Sequence, residues 1–159
     1  MERPSKCKEV NFKINSLVPP KGFFAITLFG TVYIHERNKE QWERIKDLQS
    51  GKETKWHETI HVKQAQMEKD SWFVFYLKYL GFWLKNMFYC GFNNTVAYYT
   101  IPYEMEAYGN ENYFNYNMKY FEDYKNMSTK ERIELYKKHS GTWREALKKQ
   151  QKKFSSKKK

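Results

Sequence analysis

Five consecutive residues, His57-Glu58-Thr59-Ile60-His61, combine imidazole and carboxylate groups at a spacing that can do chemistry. In a helix, side chains four apart lie on one face, one turn apart. Both imidazoles can then reach a single Zn2+, while Glu58 stands beside the water that completes its coordination. The cation would lower the pKa of that water toward about 7, and Glu58 would take its proton as general base. Attack on a polarised carbonyl follows, so the expectation is zinc-dependent hydrolysis of peptide bonds in a peptide or protein substrate. The plainer alternative is a pair of solvated histidines on a surface helix. Against it, Gln64 and Glu68 continue the polar stripe at helical spacing, and Trp56, Ile60, Val62, Ala65 and Met67 supply apolar surface around it. A polar stripe between apolar faces suits a lined cleft.

Such a site needs a third protein ligand and an open position. His35, His139, Cys7 and Cys90 qualify by type, but none sits in a motif. Glu104 is the stronger candidate. Pro102 suits the first turn of a helix and Thr100 could cap it, so that Glu104, Ala107, Tyr108 and Glu111 share one face. A carboxylate beside a small residue lets two helices approach closely, and the HExxH helix is expected to pack against this Glu-bearing one. Glu106, turned about 200° from that face, is the alternative ligand or a supporting group. Favourable interaction with the helix dipole would also account for two carboxylates in a first turn. For the tetrahedral oxyanion, Tyr103, Tyr108 and His139 are the candidate donors.

HExxH followed by a helix bearing E-x-x-A resembles the gluzincin arrangement of the integral-membrane prenyl-protein and heat-shock zinc proteases, in which the first Glu of E-x-x-A-D binds zinc. Glu104 and Ala107 match that pattern, with Tyr108 at the Asp position. A closer resemblance is to a family of small HExxH, gluzincin-like zinc metallopeptidases of gut bacteria and their phages, which has no assigned substrate. Its members run G-F-x-A-I-x-L-F-G, H-E-x-I-H-x-x-Q, an aromatic helix, and F-E-x-E-A-Y-x-N-E. Those segments correspond here to residues 22–30, 57–64, 72–92 and 103–111, and the resemblance covers about residues 18–120. It implies a zincin-like domain with zinc on His57, His61 and Glu104.

The elements that must position these side chains belong to a chain of 159 residues, long enough for one domain with a modest core. Aromatic residues make up 19% of it, so the core is expected to be built on rings. A net charge of +11 favours acidic partners: nucleic acid, an anionic membrane surface or an acidic protein face. Two cysteines far apart make no disulfide framework. Residues 1–6 lack an apolar signal core, from which a cytoplasmic protein is expected, with virion-associated or membrane-peripheral placement as alternatives.

The expected fold class is α+β, mostly helical, with a short N-terminal antiparallel sheet. Residues 1–9 are expected to be irregular, 10–154 to form a single domain, and 155–159 a basic tail. Alternation over residues 10–18 predicts a strand, broken by Pro19-Pro20. Residues 23–34 read as one bent strand or two strands around a bulge at Gly30, with residues 23–29 a candidate shelf for an extended substrate. A short helix over 38–49 should end at a Ser50-Gly51 turn, and the HExxH helix should run from about Glu53 to Lys69. Residues 71–90 are almost wholly apolar apart from Ser71, Lys78 and Lys85, spaced by sevens. That fits a helix buried on most sides, or one lying in a membrane surface. After an Asn-containing connection over 91–100, the Glu104 helix should reach about Tyr120. Ser128 with Glu131 is a capping-box signal for a helix to about Lys138, and 142–154 forms the last helix. Lys148, Lys149, Lys152, Lys153 and Lys157 to Lys159 make the C-terminus strongly basic, a solvated tail or a contact for nucleic acid or anionic lipid. The competing function is that of a basic structural or interaction protein, virion-associated in a phage, on a zincin scaffold without required catalysis.

Overall fold

The computed structural model describes residues 10–158, so Cys7, the irregular segment expected over 1–9 and Lys159 lie outside the described residues. The fold is α+β and mostly helical, and it divides into two compact units, the first ending at Trp72 and the second beginning at Phe73.

The first unit holds β1 (Asn11–Asn15), β2 (Ala25–Leu28), β3 (Thr31–His35), α1 (Lys39–Ile45) and α2 (Gln49–Met67). Its sheet is mixed rather than antiparallel: β3 is central, antiparallel to β2 and parallel to β1. The connection through residues 16–24 causes this. Pro19 and Pro20 cannot donate to a ladder, and Arg37 pins them, donating to the Pro19 carbonyl at 2.8 Å and the Pro20 carbonyl at 2.7 Å. The chain therefore crosses to the far edge before it pairs. Gly30 marks no bulge. Phe29 and Gly30, at φ 51° and 81°, form the two-residue turn of a hairpin with Leu28 opposite Thr31, a turn whose positive φ values match strand twist.

Val32 and Ile34 of the central strand are fully buried, and Trp42 of α1 stacks on Phe12 of β1 at 4.9 Å between centroids. Below them α2 buries Ile60, Val62 and Ala65. Its first turn includes Ser50 and Gly51, which were expected to form a turn. A Cβ on Gly51 would lie 2.1 Å from the Ile45 carbonyl oxygen, so this close approach of α1 to α2 admits only glycine.

The second unit is all helical: α3 (Trp72–Tyr89), α4 (Asn94–Tyr99), α5 (Pro102–Asn110), α6 (Phe121–Asn126), α7 (Thr129–His139) and α8 (Trp143–Lys157). Tyr103, fully buried, is its aromatic hub, with rings of Phe75 and Phe82 from α3 and Phe121 from α6 within 6 Å. Helix α4 occupies the stretch expected as a connection; Asn93 caps it, accepting from the Val96 N–H at 3.1 Å. Helix α5 ends at Asn110, well before Tyr120, because the Asn-rich segment that follows is poor in helix formers and carries Met118 at φ 63°. The Ser128–Glu131 capping box opens α7 as expected.

Helix α8 extends to Lys157, so residues 155–157 of the expected tail form its last turn. Ser155 Oγ lies 2.9 Å from the Tyr120 hydroxyl and Lys158 pairs with Asp123 at 2.6 Å. Helix α3 departs from the expectation of burial on most sides: it buries only Phe75 and Asn86. No helix among the described residues is long and apolar enough to cross a membrane.

Gly51→Ala should destabilise the first unit by about 1–3 kcal/mol, since the obstructing atoms are backbone. Denaturant unfolding checks this, and an unchanged midpoint would show that the α1–α2 corner relaxes freely.

Candidate metal centre

On α2 the 100° step per residue places His57, His61 and Gln64 in one narrow stripe with Glu58 at its border. All are buried: His57, Glu58 and His61 are 7%, 9% and 6% exposed and Gln64 is fully enclosed. The two imidazole rings meet edge to face with centroids 4.9 Å apart. His61 Nδ1 lies 2.8 Å from Gln64 Oε1. An amide carbonyl there is served by an Nδ1–H, the tautomer in which Nε2 carries the basic lone pair of the ring. Glu58 is held from the sheet, its Oε2 accepting a hydrogen bond from the Thr27 hydroxyl on β2. The strand read from sequence as a substrate shelf thus touches the residue read as the base.

In the second unit, Glu104 sits in the first turn of α5 and is buried. Pro102 opens this helix as expected, but Ile101 is the capping position; the Thr100 hydroxyl donates instead to the Val96 carbonyl at 2.6 Å. The Tyr79 hydroxyl of α3 donates to Glu104 Oε1 at 2.7 Å. Tyr98 and Tyr108 hydrogen-bond each other nearby. Burial first, and then the negative charge of Glu104, push both phenols above their ordinary range. Both therefore remain protonated, and so remain donors, at neutral pH.

Glu106, the alternative ligand, is fully buried elsewhere on α5 and accepts from the Tyr116 hydroxyl at 2.8 Å. Burial and the Glu106 charge hold that phenol protonated. His35 spends its Nδ1 on the Arg37 N–H at 3.1 Å as a cap, and Cys90 donates to the Asn93 carbonyl at 3.2 Å. His139 closes α7, and Tyr103 is enclosed by rings. Among the described residues, Glu106, His35, His139 and Cys90 join no group of metal-capable side chains.

Sequence reasoning missed Thr27 and Tyr79. Thr27 could have been suspected from strand alternation ahead of the HExxH helix; Tyr79 carries no distinguishing signal among so many aromatic residues. Comparison of the chain with protein-family models, with curated proteins and with solved structures finds no match in any of the three.

Gln64→Leu, similar in volume, should weaken divalent-metal affinity about 10- to 100-fold by releasing the ring of His61. Competition against a chromogenic chelator measures this, and an unchanged affinity would remove Gln64 from the site.

Proposed function

We propose that the protein is a metal-dependent peptidase in which His57, His61 and Glu104 hold a divalent cation and Glu58 is the general base. The observation that carries this reading is the pair of buried imidazoles on one face of α2, with Glu58 at their border and His61 set against Gln64; the buried Glu104 of α5 is the proposed third ligand. The donor set fits a catalytic rather than a structural site, since three protein ligands leave a position for water or substrate. Two imidazoles and one carboxylate suit Zn2+ best, although such donors also accept other divalent ions according to availability. On this reading the chain is zincin-like and of the gluzincin type.

When bound, the cation supplies Lewis acidity, polarising a carbonyl and lowering the pKa of water. The rest is done by the chain. Glu58, steadied by Thr27, accepts the proton of the attacking water and returns it to the departing amine. Among the described residues strand β2 pairs with β3 on one side only, so its outer edge can take an extended peptide through main-chain hydrogen bonds beside Glu58. Tyr108, kept protonated, is the proposed donor to the developing oxyanion. Tyr79 keeps the carboxylate of Glu104 oriented.

Glu58→Gln tests the assignment because it preserves shape while removing the base. With unfolded casein as substrate, turnover should fall about 10²- to 10⁴-fold while bound metal stays stoichiometric. Full activity in this variant would refute Glu58 as base. A native chain that binds metal and cleaves nothing would favour the basic interaction protein, a reading that draws on the +11 charge and the exposed lysines of α8.

A further inference from the structure

Helix α3 has two faces of opposite use. Phe75, Tyr79, Phe82 and Asn86 turn inward, the three rings onto Tyr103 and the Asn86 amide onto the Ala97 carbonyl at 3.0 Å. On the opposite side Phe73, Leu77, Leu80, Leu84 and Phe88 fall within an arc of about 80° and run the length of the helix. These five are 45–73% exposed. Single exposed apolar residues are ordinary, but an unbroken row of five on one helix marks a contact surface.

The chemistry around the row selects what covers it. Lys78 and Lys85, both exposed, lie along one border, and half-buried Tyr76 and Trp83 along the other. No Asp or Glu occurs between Asp70 and Glu104, and the chain carries +11. A second copy laid on this face would bring lysine toward lysine with no carboxylate on the helix to answer it. An anionic bilayer offers acyl chains to the row and phosphates to the lysines, whose stems can lie along apolar surface while the ammonium groups reach outward. Lysine and aromatic residues at the borders of an apolar stripe suit the headgroup level. On a bilayer such a helix would lie in the surface rather than cross it, since no described helix is long and apolar enough to span.

We propose that the outward face of α3 docks in the plane of an anionic lipid bilayer, with Phe73, Leu77, Leu80, Leu84 and Phe88 entering the acyl boundary and Lys78 and Lys85 contacting lipid phosphates. This does not depend on the metal site. The full chain should float with vesicles of phosphatidylcholine mixed with phosphatidylglycerol, and less with phosphatidylcholine alone. The double variant L77E/F88E should lose binding at least about tenfold with its circular dichroism spectrum and melting unchanged, because both positions are exposed. K78E/K85E should lose the preference for the anionic vesicles. If carboxylates on the row disturb folding, L77S/L84S provides the same comparison.

Failure of the native chain to float with either vesicle would overturn the proposal. So would undiminished flotation of L77E/F88E, which would assign binding to the lysines of α8 alone. A concentration-dependent dimer abolished by L77E/F88E, without flotation, would assign the face to a second copy of this chain.

Discussion

Burying two imidazoles and a carboxylate within five residues of one helix is the constraint on which the first unit depends. Each loses its water, and a buried polar group without compensation costs several kcal/mol. The surrounding architecture reads as the answer to that cost. Gln64, one turn beyond His61, supplies an amide carbonyl. The β2–β3 hairpin brings Thr27 to Glu58, and the mixed sheet places that hairpin with β3 at its centre. Trp42, stacked between sheet and helix, and the close approach at Gly51 fix where α2 starts. A metal ion on the two histidines would complete the compensation and turn a cost into binding free energy.

The second unit handles buried charge through phenols and carbonyls. Glu104 and Glu106 are each met by a tyrosine hydroxyl, from Tyr79 and Tyr116. Arg132, 1% exposed, donates to the Thr100 carbonyl at 2.9 Å, to Asn86 Oδ1 and Thr129 Oγ1 at 3.2 Å, and to the Met127 carbonyl. Its guanidinium also lies over the Phe82 ring. Burial lowers its pKa to about 10, which leaves it charged at neutral pH. One planar fork thereby ties the ends of α4 and α6 to α3 and α7, a geometry lysine could not reproduce. Because Thr100 stands two residues before the start of α5, Arg132 also helps fix where the Glu104 helix begins. An aromatic-rich composition is thus more than apolar bulk: its phenols are the hydrogen-bond donors that make buried carboxylates tolerable.

The parts legible in sequence were those with local causes. The HExxH stripe, the Ser128–Glu131 box and Pro102 at the head of α5 each act within one turn of helix, and the structure places them as their spacing implies. The parts that were not legible have distant causes. Strand β1 lies parallel to β3 because of a proline-bearing crossover held by Arg37, which no periodicity records. Ser50-Gly51 resembles a turn, yet Gly51 is required by the carbonyl of Ile45. Asn93 is an ordinary loop residue until its side chain caps α4. For α3 the sequence left burial and a membrane-surface position open, because hydrophobicity along a helix does not say on which side the neighbours stand.

The central claim is that His57, His61 and Glu104 jointly hold a metal ion, and it is tested most directly by metal content. Elemental analysis of protein purified without chelator should find one divalent ion per native chain, and none in His61→Ala or Glu104→Ala that remains folded by circular dichroism. A native chain that takes up no metal even when zinc is supplied, or a Glu104→Ala variant that keeps it fully, would contradict the account.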